Sequence, residues 1–470
     1  MRRSDTAMVV VMVLSGTVSA LQSTLVVPLL PELPGLLRVS AEDASWLVTI
    51  TLISAAASTP ILGRMADMYG KRRLLLVSIG ALVVGSLVCA LAPNLHVMLV
   101  GRALQGCGAP LVGVGIGLLR DTLSPSRMAQ AVAWMSASIG IGSALGPPAA
   151  GLLAHELGWR GVFWSSTGCG VLLLAGVLAV IPESPVRAPG RFDIAGAALL
   201  SIALTCLLLP VTKGPAWGWT SPLVATLALA GVVTAVGWAW LELRVPEALV
   251  DLRAAAQRPV ALTHLAGLFA GIATLMNSLV TTQFLQLPTS ANGQGLTMLQ
   301  TGIAMILPGT VLVLWSPCAG LMLKRWGARA SLLVGSGVLA AAYLARIPLS
   351  HSVAQVVLSS CAVSVGLSIV FTALPSLIIN AVPVHQTAAA NGLNGLVRTV
   401  GAAVASTSVA VVLAVSEHGT DGVGDPDAHT LYWTLLFAGM SALVAMAAAF
   451  LIPVRQRGPI VAVGAPTLCR

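Results

Sequence analysis

Apolar stretches of about 20 residues recur along almost the whole chain, and each is long enough to cross a bilayer as one α-helix. Only 9% of the 470 residues are Asp, Glu, Lys or Arg, whereas soluble proteins have about 25%. Gly and Ala are abundant, which is typical of membrane helices that pack closely through small residues. The sequence therefore predicts an all-α integral membrane protein.

Fourteen spans are predicted, and this even number places both termini on the same side. When that side is taken as cytoplasmic, nineteen Lys and Arg residues fall in inside segments and four in outside segments, namely Arg38, Arg160, Lys213 and Arg346. We therefore expect a multi-pass protein of the cytoplasmic membrane with both termini cytoplasmic. The excess of Arg over Lys is typical of a GC-rich bacterial genome. The predicted spans are 7–30, 45–62, 74–92, 97–119, 128–152, 160–181, 192–211, 222–241, 260–287, 298–323, 329–347, 353–379, 387–415 and 431–453.

Several functional classes find no support in the sequence. The net charge of +9 is attributed to cytoplasmic loops rather than to nucleic-acid binding. The seven Cys residues are scattered without a CxxC motif, so we predict neither a disulfide framework nor a metal site. No GxxxxGK[ST] motif occurs, which argues against a pump driven directly by ATP. We predict no cofactor and no enzymatic activity.

A charged segment occurs twice at corresponding places. The segment GRMADMYGKRR at 63–73 follows predicted span 2, and GLMLKRWGARA at 320–330 follows predicted span 10. In both, two glycines are seven residues apart and basic residues follow. This repetition predicts a duplicated six-span unit. We expect an N-terminal six-helix half at 1–190, an inserted helix pair with its linkers at 191–258, and a C-terminal six-helix half at 259–470.

Further segments accompany the first charged segment GRMADMYGKRR: LVGRALQGCGA (99–109), GIGSALGPPAAG (140–151), GWRGVFW (158–164), FDIAGAALL (192–200), WGW (217–219) and NGLNGLVRTVG (391–401). Together, these segments make the chain resemble the major facilitator superfamily, in particular its fourteen-span drug:proton antiporter branch. The resemblance implies a secondary exporter of a small-molecule drug or natural product. It would work by alternating access in exchange for protons and function as a monomer in the lipid bilayer.

Two of these segments have roles that the resemblance implies. The first charged segment would join the two halves in the outward-facing state, with Asp67 as the latch. The glycine-rich segment of span 5 would let another helix approach closely and would block ion leak. The predicted gating residues are Gly63, Asp67, Gly70, Lys71, Arg72 and Arg73, and the predicted antiporter-motif residues are Gly140, Gly142, Gly146, Pro147 and Gly151.

The proton pathway departs from the pattern of the branch. The branch usually carries an Asp in span 1, where this chain has Gln22, and a glutamine cannot exchange a proton near neutral pH. Three residues remain candidates for proton coupling: Arg102 in span 4, which the family implicates in proton transfer, His264 in span 9, and Glu32 near the outer end of span 1. Uniport and coupling to another ion remain open alternatives.

Polar, charged and aromatic residues within the spans are candidates for lining a central cavity. As a set they favour an uncharged, amphipathic substrate, and the absence of a membrane carboxylate argues against strongly cationic ones. The alternatives are uptake, a carrier of a specific metabolite without proton coupling, and a membrane sensor or enzyme without transport. The cavity candidates are Gln22, Trp46, Gln105, Trp134, Asn277, Gln283, Asn391, Asn394 and Arg398.

Overall fold

A computed structural model describes residues 3–26, 29, 33–39, 41–188, 190–245, 248–287, 289, 293–382, 387–418 and 428–453. Within these ranges all regular structure is helical, so the predicted all-α class is confirmed. The helices are α1 (Arg3–Thr24), α2 (Leu33–Leu37), α3 (Ala41–Tyr69), α4 (Lys71–Leu91), α5 (Leu95–Gly106), α6 (Leu111–Thr122), α7 (Pro125–Val180), α8 (Ile194–Trp217), α9 (Pro222–Glu242), α10 (Leu252–Ala255), α11 (Arg258–Gln286), α12 (Met298–Arg346), α13 (Val353–Ala381), α14 (Thr387–His418) and α15 (Ala428–Leu451).

Eleven helices among the described residues are long and apolar enough to cross a membrane. The two longest, α7 and α12, are each broken at one glycine with a positive φ, Gly158 (φ 71°) and Gly327 (φ 83°). A positive φ interrupts the helix, and glycine adopts it without steric cost. The breaks coincide with the gaps predicted after residues 152 and 323, while the total of fourteen spans stays a prediction.

The boundaries predicted around the first charged segment are wrong. The gap was expected to run from residue 63 to residue 73, yet α3 continues to Tyr69 and α4 begins at Lys71. Gly70, with φ 114°, is the single residue between them. The helices extend through the charges because those charges are paired, as described below. Predicted span 4 is likewise divided, since a turn over residues 107–110 separates α5 from α6.

Three bases that the prediction assigned to outside segments lie inside helices instead: Arg160 in α7, two residues after the break at Gly158, and the buried Lys213 and Arg346. Lys213 belongs to α8 and is 2% exposed, and Arg346 is the last residue of α12 and is 0% exposed. Each is close to an aromatic ring: Lys213 Nζ lies 4.6 Å from the Trp46 ring centroid, and the Arg346 guanidinium 5.9 Å from that of Phe284. These residues therefore do not belong to the loop charges on which the topology prediction relied.

The buried apolar residues of the described part of the chain form separate clusters, most of which contain helices that are close in the sequence. One cluster of buried residues is formed by α11 to α15 with Leu312 of α12 among its members. Two further clusters lie almost entirely within α1 to α7. A fourth cluster joins α3, α8, α14 and the linker residues Leu249 and Val250. Helix α8 of the predicted inserted pair thus packs against both α3 and α14.

Candidate functional site

The charges at the junction of α3 and α4 form a buried ion-pair group. Lys71 Nζ lies 3.1 Å from Asp67 Oδ1 and 2.8 Å from Asp121 Oδ2, and the side chains of all three are fully buried. Asp121 also accepts a hydrogen bond from the Ser184 hydroxyl. A buried ammonium is tolerated only when it is paired, and two carboxylates here surround it. Asp67 and Lys71 are therefore structural partners rather than solvated loop charges.

The same group contacts the C-terminal helices. The backbone N–H of Ala389, at the start of α14, donates to Asp67 Oδ2 at 2.9 Å. Arg120 at the end of α6 donates to the hydroxyl of Thr387 and, at 3.4 Å, to the carbonyl of Val382. A carboxylate near the first turn of a helix is favourable because free N–H groups and the positive end of the helix dipole lie there. These contacts join the two sets of helices at the end of the molecule that carries the first charged segment.

The remaining residues of the predicted gating segment have different surroundings. Gly63 is a buried residue within α3. A Cβ at Gly70 would lie 2.9 Å from the carboxylate carbon of Glu183, and Glu183 Oε1 accepts from the backbone N–H of Arg72 at 3.1 Å. The Arg72 side chain donates to the Leu178 carbonyl at 2.8 Å, whereas Arg73 is exposed.

A buried polar network surrounds Arg102 of α5. Its Nε donates to the Leu47 carbonyl at 3.2 Å, and its Nη1 donates to the Gln22 carbonyl at 3.3 Å and to Gln105 Oε1 at 2.6 Å. Gln105 Nε2 donates to the Ser86 hydroxyl at 2.8 Å, and that hydroxyl lies 3.4 Å from Gln22 Oε1. The structure thus brings three of the predicted residues, Gln22, Arg102 and Gln105, into one cluster.

This network holds a positive charge among neutral groups. Arg102 is 1% exposed, and neither its Nη2 nor the Nε2 of Gln22 has a hydrogen-bond partner in the described part of the protein. Each of the two residues therefore keeps one buried polar group unpaired. Such groups cost free energy, and within membrane spans they are typical of functional positions.

A second buried network, which sequence reasoning missed, surrounds Arg346. Its Nη1 donates to Asn277 Oδ1 at 3.3 Å, and the same oxygen accepts from the hydroxyls of Ser360 at 3.1 Å and Thr281 at 3.4 Å. Asn277, a predicted cavity residue, is 6% exposed and connects α11 to α12 and α13. The sequence signal that could have identified this network is the position of Arg346 in the last turn of predicted span 11.

The glycines of the predicted antiporter motif lie on the first part of α7 and meet different helices. A Cβ at Gly142 would lie 2.2 Å from the Thr17 carbonyl oxygen, and one at Gly146 would overlap the Thr24 hydroxyl, so both allow α1 to approach closely. A Cβ at Gly140 would overlap Leu312 of α12. Gly151 faces open space, and Pro147 lies in the same helix. The motif therefore joins α7 to α1 and also to α12.

The other predicted cavity residues are spread over several environments. Trp46 packs on Trp217 of α8, with ring centroids 5.9 Å apart, and half-buried Trp134 lines a cavity of about 580 Å³ between α1, α7 and α12. Asn391 donates to the Thr387 carbonyl at 2.9 Å within α14. The residues that remain are Asn394, 3% exposed with Nδ2 unpartnered, and half-buried Gln283.

Three of the residues predicted from the sequence remain: Arg398 and the proton-coupling candidates His264 and Glu32. Arg398 is half-buried on α14, and its guanidinium carbon lies 5.0 Å from the Phe371 ring centroid. His264 on α11 is 8% exposed, and both ring nitrogens lack a hydrogen-bond partner. Glu32 lies outside the described residues. In the described part of the chain, no group of three His, Cys, Asp or Glu side chains is arranged to hold a metal ion.

Comparisons with known proteins agree with this architecture. The multidrug resistance protein Stp of Mycobacterium tuberculosis (strain CDC 1551 / Oshkosh) is 30% identical over 389 residues, which cover 82% of this chain and 71% of Stp. The tetracenomycin C resistance and export protein of Streptomyces glaucescens is 27% identical over 399 residues, 84% of this chain and 73% of that protein.

The fold is also found among solved structures. The crystal structure of the human organic anion transporter MFSD10 (TETRAN) superposes with a TM-score of 0.66 at 18% identity, over 96% of this chain and 99% of that chain. The sequence model described as the Major Facilitator Superfamily matches residues 12–406. The protein is therefore a multi-pass membrane transporter, not an enzyme, and it belongs to the major facilitator superfamily.

Proposed function

We propose that this transporter exports small amphipathic molecules, antibiotics or other natural products, across the cytoplasmic membrane. It does so as a monomer, by alternating access and in exchange for protons. The observation that carries the proposal is the hydrogen bond between Asp67 Oδ2 and the Ala389 N–H, which joins N-terminal and C-terminal helices at one end of the molecule. Alternating access requires contacts that close one end and break when that end opens.

The charges at that closed end place it on the cytoplasmic side. The end carries Lys71, Arg72, Arg73 and Arg120, and basic residues are retained on the cytoplasmic side. The conformation is then closed toward the cytoplasm and ready to release substrate outward. The two relatives named above are described as resistance or export proteins, which supports the same direction.

The chemistry of the spans supports an amphipathic substrate. Arg398 and Phe371 offer a cation and an aromatic face side by side, at a depth where an isolated charge is costly. An amphipathic molecule with a ring and a polar or acidic group satisfies both. The Arg102 network lacks a carboxylate among the described residues, which disfavours strongly cationic substrates.

The test is transport in inside-out membrane vesicles with an imposed pH gradient. Ethidium, a cationic dye, and an anionic dye such as fluorescein are the two probes, and Gly142→Leu, which separates α1 from α7, is the inactive control. We expect the wild type to move fluorescein better than ethidium and to dissipate the gradient as it does so. Transport that leaves the gradient intact would contradict proton exchange. Transport of neither dye by correctly inserted protein would contradict a broad range of amphipathic substrates.

A further inference from the structure

We propose that Asp193 and Glu242, at adjacent ends of the inserted helix pair, form a carboxyl pair that binds the transported proton. This proposal rests on the proposed proton exchange and gives it a location outside the Arg102 network. It also gives the inserted pair a function, which neither its sequence nor the comparisons assign.

The first argument is the burial of Glu242 without an ion pair. Glu242 ends α9 and is 3% exposed. The other fully buried carboxylates among the described residues, Asp67 and Asp121, both contact Lys71. In the described part of the chain Glu242 forms no salt bridge: Oε1 accepts from the backbone N–H of Val250, and Oε2 has no hydrogen-bond partner. Burial without an ion pair favours the protonated form of a carboxyl group.

The second argument is the position of Asp193. This residue caps α8, with Oδ1 accepting from the Gly196 N–H at 2.8 Å, while its Oδ2 is buried without a partner. A Cβ at Gly196 would lie 2.3 Å from Asp193 Oδ2 and 2.9 Å from Glu242 Oε2. The two unpartnered oxygens therefore face the same small space next to Gly196, which has no side chain to fill it. The negative charge of Asp193 beside this space opposes a second negative charge on Glu242 and so favours the protonated form of Glu242.

The third argument is the cavity on which Glu242 opens. Its volume is about 350 Å³, and residues of α3, α11, α14 and the linker 243–255 line it. His264 of α11 lies on its wall, more than nine-tenths buried and without a partner for either ring nitrogen. An unpaired imidazole on this wall can exchange hydrogen bonds with water that enters the cavity.

Charged groups of α3, α8 and the linker, together with His264 of α11, lie near Glu242, while the described residues of α14 on the cavity wall are apolar. Arg64 of α3 acts electrostatically on Glu242, as does Asp193 of α8. The linker contributes Arg244, Asp251 and Arg253, and α11 contributes His264. Arg244 stacks on Trp240 at 3.8 Å and Arg253 donates to the Leu243 carbonyl at 2.9 Å, so neither is paired with Glu242.

The location of Glu242 between the two halves couples its protonation to transport. Arg64 is in the N-terminal half and next to Gly63 of the predicted gating segment, whereas His264 and α14 belong to the C-terminal half. When this end of the molecule opens, Arg64 and His264 move relative to Glu242 and water enters. The proton affinity of the pair then differs between the two states, so protonation must in turn bias the conformation.

The test compares variants that keep every hydrogen bond described for these residues. In Glu242→Gln the Val250 N–H keeps its acceptor, and in Asp193→Asn the Gly196 N–H keeps its acceptor, but neither side chain can release a proton. Asp251→Asn is the matched control, because Asp251 also caps a helix beside the cavity but is exposed. Each protein is reconstituted in proteoliposomes and assayed with the dye that the wild type transports, with and without a pH gradient.

We expect Glu242→Gln to lose at least 10-fold of its gradient-driven transport while it keeps movement of dye down its own concentration gradient. Full gradient-driven transport by this variant would overturn the carboxyl pair and leave the proposed exporter intact. An equal loss in Asp251→Asn would also overturn it, because linker structure rather than proton binding would be responsible.

A second readout does not depend on transport. Infrared difference spectra recorded between about pH 5 and about pH 9 detect protonated carboxyl groups directly. We expect a carboxyl band at neutral pH in the wild type that is absent in Glu242→Gln and weaker in Asp193→Asn. A band unchanged in both variants would refute the pair even if the wild type proves inactive with every dye.

Discussion

The carboxylate of Asp67 accepts a hydrogen bond of 2.9 Å from the backbone N–H of Ala389, a residue 322 positions later in the chain. The same carboxylate is paired with Lys71 through its other oxygen. One side chain thus contributes both to the buried charge group of the N-terminal helices and to their contact with α14. This dual role makes Asp67 a more informative target than the exposed base Arg73.

Asp67→Ala should shift the protein toward the state that is open at this end. A hydrogen bond to a charged group contributes about 2 kcal/mol, which corresponds to a shift of about 30-fold in the conformational equilibrium. The measurement is the rate at which a maleimide labels Ala390→Cys in inside-out vesicles, in a background without native cysteines. Asp5→Ala is the control, because Asp5 pairs with Arg127 at a partly exposed position. Equal labelling rates with and without the Asp67 substitution would contradict a gating role.

Gly70→Ala should destabilise the protein by about 2 kcal/mol. The residue has a φ of 114°, and a Cβ there would lie 2.9 Å from the Glu183 carboxylate. Both the strained backbone and the contact oppose a side chain. Gly80→Ala, within the following helix α4 and with open space around it, should be neutral or slightly stabilising. Thermal unfolding of the two purified variants in the same detergent measures the difference, and similar midpoints would refute it.

Gly142→Ala should abolish most of the transport while the protein still inserts into the membrane. Its Cβ would lie 2.2 Å from the Thr17 carbonyl oxygen and 2.6 Å from the Leu21 nitrogen, so α1 and α7 would have to separate. Backbone atoms cannot rotate away as a flexible side chain can. Gly151→Ala lies in the same motif but faces open space, and it should transport as the wild type does. Vesicle assays at matched expression levels make the comparison, and equal activity of the two variants would contradict the close contact as a requirement.

Arg102→Lys should lose transport even though the charge is kept. The guanidinium reaches the Leu47 and Gln22 carbonyls and Gln105 Oε1 at the same time, and a lysine ammonium cannot copy this fork. Breaking the buried network should also lower stability by about 1–3 kcal/mol. Arg73→Lys, at an exposed position, is the control. Wild-type transport by Arg102→Lys would show that only the charge matters.

The sequence predicted the helices better than the contacts between them. Long apolar runs identify membrane helices because the bilayer imposes both their length and their internal hydrogen bonding. The two glycine breaks coincide with predicted gaps for the same reason. The ends of α3 and α4 were misplaced because Lys71 was taken as a solvated loop base, and no local pattern reveals that Asp67 and Asp121 pair with it.

The site was predictable in part. Gln22, Arg102 and Gln105 were each identified, and they meet in one network because they lie on neighbouring helices. Arg346 was assigned to a loop, since a base in the last turn of a span is usually solvated. Glu242 was overlooked for the same reason. Its significance depends on Asp193 and Gly196, which are about 50 residues away in the chain and close only after α8 and α9 have packed.

The single-residue junction at Gly70 has a mechanical consequence. Consecutive Cα atoms are about 3.8 Å apart, so a connection of one residue has no slack between the end of α3 and the start of α4. A displacement of the end of α3 is therefore passed on to the start of α4, and the Lys71 ion pairs pass it on to α6 through Asp121. The three helices α3, α4 and α6 then move together at this end of the protein. Inserting even a few flexible residues after Tyr69 would let α3 and α4 move independently without removing any side-chain contact.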